Sequence, residues 1–267
     1  MKILCLHGSY GSAAVSESGP PASPSLSQEK PQNFKVQLAP LTDALRQLGP
    51  VEFAWIDGSH SVTPPAGFDN YFGSPPFYRF IDPDGVSGLD TMVESIRELS
   101  NGATTESTMR KLWDQNQKNG SAQVEFAVNN ILQYLERNPD IDGILGYSEG
   151  ATLASTIVLE EIRRCEAEGR PRQIKYGVFF AGWPPIQLRS NTVQFMLADE
   201  CDSVLNVPSC HVIGCNDPYV HGSMALFSLC DEDTAVLFDH GGGHTLPRDQ
   251  RTIRELASTV WNICGSV

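Results

Sequence analysis

Cations are scarce in this 267-residue sequence: 19 Lys and Arg stand against 32 Asp and Glu, a formal net charge of −13. Nucleic acid and anionic membranes require a cationic face, so neither is expected as a general partner. Long apolar runs are missing too. None approaches a membrane span, and the apolar start of "MKILCLHG" is too short for a secretory signal. No paired-cysteine spacing, H-E-x-x-H or carboxylate-rich loop occurs, so no metal site is expected. "HGGGH" places two histidines four apart, but its glycines give no reason for both to face one ion. There is no G-x-G-x-x-G and no Walker loop, and no cofactor is expected. The seven cysteines (Cys5, Cys165, Cys201, Cys210, Cys215, Cys230 and Cys264) lie mostly in apolar segments. They read as reduced core thiols, which makes a cytoplasmic enzyme the default.

What is present is an alternation of strand-like and helix-like segments, the pattern of an α/β fold around a mainly parallel sheet. Strands are predicted at 2–6, 51–56, 143–147, 176–181, 210–215 and 235–239, and helices at 34–48, 121–137, 149–168, 219–230 and 248–263. The expectation is a single domain over 1–267 with about six strands flanked by helices. Two regions break the rhythm. Residues 11–33 are rich in Ser, Pro and Gly and read as a mobile loop insertion. Residues 58–120 are far longer than an ordinary connection and carry "FDNYFGSPPFYRF" at 68–80, too apolar for a solvated loop and too broken for a long helix. An irregular cap over a pocket is the functional reading; an extension of the main core is the alternative.

Between the strand "DGILG" and the helical "ATLASTIVLEEIRRCEAEG" stands "GYSEG", residues 146–150. A serine between two glycines at a strand-to-helix turn is the setting of a nucleophile elbow. Glycines at 146 and 150 remove the Cβ atoms that would collide as strand and helix close on each other. A serine hydroxyl needs a base, and the base needs an acid to hold it. Elbow-type triads run Ser, then Asp or Glu, then His along the chain. Asp217 follows the strand "CHVIGC", and His244 lies on the glycine-rich turn after "AVLFD". Both therefore fall beyond the carboxyl ends of strands, where open α/β sheets build their sites. His240 is the rival base, although a place at the strand end suits a structural hydrogen bond. His211 reads as a satisfied core histidine, Asp231, Glu232 and Asp233 as a solvated turn, and Asp239 as a supporting group. The oxyanion donors are expected to be the backbone N–H of Glu149 and that of Ser9 in "LHGSYG", with Tyr10 as second choice. The Glu149 side chain is expected to face solvent or a neighbouring helix.

These pieces together resemble the fungal FSH-type serine hydrolases of the α/β-hydrolase superfamily. The resemblance is carried by "ILCLHG", "FKVQLAPLTDAL", "VEFAWIDG", "DGILGYSEGATLAS", "GCNDPYV" and "HGGGHTLP", in order along nearly the whole chain. It implies a compact hydrolase core, a Ser148–Asp217–His244 triad and no cofactor. Many such relatives release polyketides from a carrier protein by thioester hydrolysis, and others are carboxylesterases. The insertion at 11–33 departs from the family pattern beside the oxyanion loop.

The expected function is hydrolysis of an ester or thioester with a sizeable apolar acyl group, with release of a carrier-bound polyketide as the leading role. A stand-alone carboxylesterase is the alternative, and a hydrolase-fold protein with a ligand-binding or cyclising role is the rival from another class. Tyr10, Phe68, Tyr71, Phe72, Phe77, Tyr78 and Trp183 are expected to line the acyl site. An acyl-carrier protein is the candidate partner. The net charge would repel an acidic carrier, so docking would need a local basic patch. Residues 163–175, with Arg163, Arg164, Arg170, Arg172 and Lys175, supply the best one. The same residues read more simply as a solvated helix end with cations near its negative pole.

Overall fold

Six segments with strand-type apolar patterning pair in parallel: β1 (Lys2–Leu6), β2 (Glu52–Ile56), β5 (Gly143–Tyr147), β6 (Tyr176–Phe180), β9 (Ser209–Ile213) and β10 (Ala235–Asp239). Their order across the sheet is β10-β9-β6-β5-β1-β2. In this computed structural model, residues 1–13, 34–64, 75–81, 104–115, 121–189, 192–201 and 205–265 are described.

Alternation along the central strands feeds two cores. Leu4, Leu6, Ile144 and Phe179 point to a face covered by α3 (Ser121–Arg137) and α4 (Glu149–Glu168). Ile3, Cys5, Leu145, Val178 and Phe180 point to the other face, under α1 (Phe34–Leu48) and α6 (Gln250–Gly265). Burial on both faces explains why β1, β5, β6 and β9 are continuous apolar runs rather than alternating ones. β10 closes one edge, and there Val236 and Leu237 are exposed.

The chain runs from β1 outward to β2, returns past β1 to β5, and then proceeds the other way through β6, β9 and β10. The order therefore reverses between β1 and β5, a topological switch point at whose carboxyl edge α/β sheets bind ligands. This is the α/β-hydrolase arrangement expected from the sequence.

The long connections depart from expectation. Within 58–120, His60–Ser61 (β3) pairs antiparallel with Tyr78–Arg79 (β4), and Thr105–Gln115 forms the helix α2. A segment broken by Gly and Pro near its start thus still contains three turns of helix near its end. A hairpin of β7 (Ile186–Arg189) and β8 (Thr192–Phe195), also unforeseen, joins β6 to β9. The helix before β10, α5, is shorter than expected at Val220–Phe227. Met109 and Leu112 of α2 pack with Leu197 and with Ala225 of α5, against Trp183 and Phe195. Most of the 11–33 insertion, and Phe68, Tyr71 and Phe72 of the aromatic stretch, lie outside the described residues. All seven cysteines are free thiols, five of them buried. Among the described residues no helix is long and apolar enough to cross a membrane.

Candidate active site

Ser148 sits between β5 and α4 with φ 53° and ψ −118°, a region in which a non-glycine residue carries of order 1–3 kcal/mol of strain. The elbow is tight enough to need both of its glycines. A Cβ at Gly146 would run into the Gly150 carbonyl, and one at Gly150 would run into the carbonyls of Leu6 and His7. The turn is pinned by Ser148 N–H donating to the Phe180 carbonyl at 2.8 Å.

His244 Nε2 lies 3.1 Å from Ser148 Oγ, and His244 Nδ1 lies 2.7 Å from Asp217 Oδ2. The three residues expected to form a triad therefore stand in one hydrogen-bonded line, although they are far apart in the sequence. Asp217 is buried, and its other oxygen accepts the Tyr219 N–H at 2.8 Å. The loops after β9 and β10 touch backbone to backbone. Asn216 N–H donates to the Gly242 carbonyl at 3.0 Å, and Asn216 Nδ2 donates to the Gly241 carbonyl at 2.8 Å. Gly241, at φ 73°, supplies the left-handed turn that a side chain would oppose.

Asp239 has the supporting place foreseen for it. Its Oδ1 accepts the N–H of Cys215 at 3.0 Å and that of Gly241 at 2.8 Å, joining the two loops. His240 turns back on its own loop, Nδ1 accepting the Gly242 N–H at 3.3 Å. Burial holds its imidazole below the usual histidine range, with Asp239 and Asp217 pulling the other way. His211 is buried within β9, hydrogen-bonded to Ser209 Oγ at 3.0 Å.

Two tyrosines that sequence reasoning passed over hold the histidine. Tyr147 donates its hydroxyl to the His244 carbonyl at 3.0 Å, and its ring lies 5.4 Å from the imidazole. Tyr219 meets the imidazole edge-on at 5.0 Å. Their positions, next to the elbow serine and two residues past the acid, were the available signal. From Tyr219 the aromatic line continues to Trp183 at 6.0 Å and on to Phe195 at 5.7 Å. Trp183 is fixed by its backbone N–H donating to Thr152 Oγ1 at 3.0 Å. Phe77 is buried, and Tyr78 lies in β4 beside the Gly8–Gly11 turn.

That turn follows β1. A Cβ on Gly8 would lie 3.0 Å from the Tyr147 ring and 3.3 Å from Ser148 Cβ, which places the start of this turn against the elbow. His7 shapes it from below. Its Nε2 accepts the Gly58 N–H at 2.9 Å, which makes Nδ1 the protonated nitrogen, donating to the Gly8 carbonyl at 2.7 Å. Burial keeps the His7 imidazole below the usual range and so neutral. Tyr10 takes φ 60°. The side chain of Glu149 contradicts expectation. Instead of facing solvent or a neighbouring helix, it turns inward to Ser9 Oγ, at 2.7 Å, and to Arg79, also at 2.7 Å. A buried carboxylate at a helix N-terminus is stable there because cationic and N–H partners surround it.

The profile of the family described as Serine hydrolase (FSH1) matches residues 27–256. This chain belongs to that family. It is accordingly a serine hydrolase, as the elbow and its histidine suggest. Esterase FPY3 of Fusarium mangiferae is similar to it, 24% identical over 265 residues, with 97% of this chain and 95% of that one covered. Hydrolase phiM of a fungal species is 24% identical over 258 residues, covering 97% and 92%. Family of serine hydrolases 3 of Saccharomyces cerevisiae is 26% identical over 204 residues, covering 74% and 73%. Among solved structures, the Agrobacterium tumefaciens protein Atu2452, of unknown function, matches 98% of this chain and 90% of its own, with a TM-score of 0.51 and 14% identity. That likeness concerns the fold alone.

Proposed function

We propose that this serine hydrolase cleaves an ester or thioester with a sizeable apolar acyl group, using Ser148 as nucleophile. The observation that carries the reading is the line Ser148 Oγ–His244–Asp217, ending on an elbow serine at positive φ. Ser148 Oγ attacks the acyl carbonyl while His244 Nε2 takes its proton, and Asp217 holds Nδ1–H in the required tautomer. The oxyanion forms beside the Glu149 and Ser9 amides at the positive end of α4, with Tyr10 the alternative second donor. His244 returns the proton to the leaving alcohol or thiol. Water then attacks the acyl-enzyme by the reverse sequence, releasing the acid and restoring the serine.

The apolar acyl preference is supported by Trp183, two aromatic steps from His244, and by the buried Phe77. We take residues 58–120 as a cap within a single 1–267 domain, a reading supported by the packing of α2 against Trp183 and Phe195. The cytoplasm is the proposed compartment, a choice supported by the seven free thiols.

Release of a polyketide chain from an acyl carrier remains the proposed role, supported by the fungal hydrolases among the relatives. A stand-alone carboxylesterase is favoured by one observation. Arg163 and Arg170 of the 163–175 patch are already paired with Glu160 and Glu168, while Arg164 and Arg172 bond Asn129 and Asn206. Rates on one acyl thioester, carrier-bound and on a small thiol, test this. Faster carrier turnover, reduced by salt and by charge reversal at Arg170 and Arg172, supports docking through the patch; equal, salt-insensitive rates support the carboxylesterase. Covalent labelling by a fluorophosphonate probe tests the nucleophile. A protein that takes no label and turns over no ester overturns the hydrolase mechanism.

A further inference from the structure

The carboxylate directly after the nucleophile is a junction between three segments. Oε2 of Glu149 accepts Ser9 Oγ–H and the Arg79 guanidinium, while Oε1 accepts the N–H groups of Phe80 at 2.8 Å and Ile81 at 3.2 Å. The Arg79 and Glu149 side chains are only 3% and 7% exposed. Two charges are therefore withdrawn from water at the floor of the oxyanion turn, an arrangement that adds little net stability compared with an apolar pair of similar volume. A geometric role accounts for it better.

The same segment grips the turn in other ways. Tyr78 N–H donates to the Gly11 carbonyl at 2.9 Å, and Gly11 N–H closes the turn onto the Gly8 carbonyl at 3.0 Å. The Arg79 guanidinium lies over the Tyr10 ring at 5.8 Å. Under the turn, Gly58 contacts the Arg79 backbone so closely that a Cβ there would overlap its carbonyl, and Gly58 is the residue that sets the His7 tautomer.

We propose that Arg79 and Glu149 are positioning residues for the oxyanion turn, through which the 77–81 segment sets where the Ser9 amide stands relative to Ser148. Neither side chain touches the reacting atoms. The proposal rests on the hydrolase reading above. It adds that this segment of the cap region governs transition-state stabilisation rather than substrate capture. Burial alone would push the Glu149 carboxyl up; the Arg79 charge and the bonds from Ser9, Arg79 and Phe80 outweigh it and hold the group below the usual range, hence ionised in the working enzyme.

The test compares Glu149→Gln, Arg79→Lys, Arg79→Met and the Glu149→Gln/Arg79→Met double variant, each checked for folding by circular dichroism. The double variant guards against an uncompensated buried charge unfolding the single ones. With a p-nitrophenyl ester, Glu149→Gln and Arg79→Met should lower kcat about 10- to 100-fold, up to the loss of one oxyanion donor. KM should stay within about threefold, because an interaction made only in the transition state is what is lost. Arg79→Lys should recover part of the rate. Hydrogen exchange over residues 7–13 reads the same coupling without turnover, and should quicken in Glu149→Gln and Arg79→Met. Folded variants with kcat within about threefold of wild type and unchanged exchange overturn the proposal, as does a loss confined to KM. If the wild type itself cleaves no ester and takes no phosphonate label, the hydrolase reading falls instead, and exchange alone then decides whether the pair positions the turn.

Discussion

On one side of Ser148, Asp217 and His244 stand at the ends of neighbouring strands, and backbone amides, with Asp239 between them, link their loops. On the other side, the Gly8–Gly11 turn is tied by a buried carboxylate to residues 79–81, some seventy positions further along the chain. The difference follows from topology. β9 and β10 are adjacent and parallel, so their carboxyl ends arrive side by side, and a peptide bond with the short Asn216 and Asp239 side chains joins them. The turn after β1 has a parallel neighbour too, β2, whose following loop meets it through Gly58 N–H on His7 Nε2 and Asp57 on Ala13 N–H. Its Ser9 side, however, is held from farther along the connection after β2, through the buried Glu149 carboxylate that residues 79–81 bind. The side proposed to carry the base is thus held by short bonds between neighbouring strand ends, and the proposed oxyanion side by a buried ion pair that reaches across the chain.

The comparison can be broken most severely at Ser148, the proposed nucleophile that the two sides share. Ser148→Ala should lower turnover about 10⁴- to 10⁶-fold and abolish probe labelling, while the melting temperature stays close to wild type because only a hydroxyl is lost. Full turnover in that variant would contradict the whole arrangement. The next test lies on the base side. His244→Ala should match Ser148→Ala in activity, whereas His240→Ala should chiefly lower stability, since its imidazole bonds only within its own loop among the contacts described. Reversed effects would make His240 the base. Both losses should exceed those expected for Arg79 and Glu149, so equal losses on the two sides would erase the distinction.

A smaller effect concerns what the site accepts. Each enclosed acyl methylene contributes about 0.8 kcal/mol, so a series from acetyl to longer p-nitrophenyl esters should show a rising kcat/KM. Trp183→Ala and Phe77→Ala should flatten that rise by roughly tenfold, a loss of about two methylenes, with acetyl turnover changed less. An unchanged profile would separate these aromatics from the acyl group.

The gentlest test probes the frame of the base side. Burial pushes the His211 imidazole, inside β9, down from its ordinary 6.5 to about 3. The unfolded chain therefore binds a proton that the folded chain refuses, and stability falls as pH drops below 6.5 towards about 3, at up to about 1.4 kcal/mol per pH unit. Urea unfolding between those limits should show the slope, and His211→Gln should reduce it. An unaltered slope would place the acid sensitivity elsewhere.

The sequence by itself determined the sheet, the elbow and the strand-end positions of Asp217 and His244 that the fold brings to Ser148. Apolar runs at strand length, helices with one apolar face and a serine between two glycines at a strand end are local signals, and each resides in the residues that obey it. The helices at 34–48, 121–137 and 149–168 were legible to the residue for that reason. Once the strands are parallel, their carboxyl ends must converge, and Asp217 and His244 with them. Only the tertiary structure decided the direction of the Glu149 side chain, the burial of Arg79 and the bracing of His244 by Tyr147 and Tyr219. An exposed-looking glutamate at the start of a helix ordinarily points to water. Here it is drawn inward because a guanidinium, a hydroxyl and two backbone N–H groups from distant segments meet at one point, and that meeting is a property of the folded chain that no local pattern encodes.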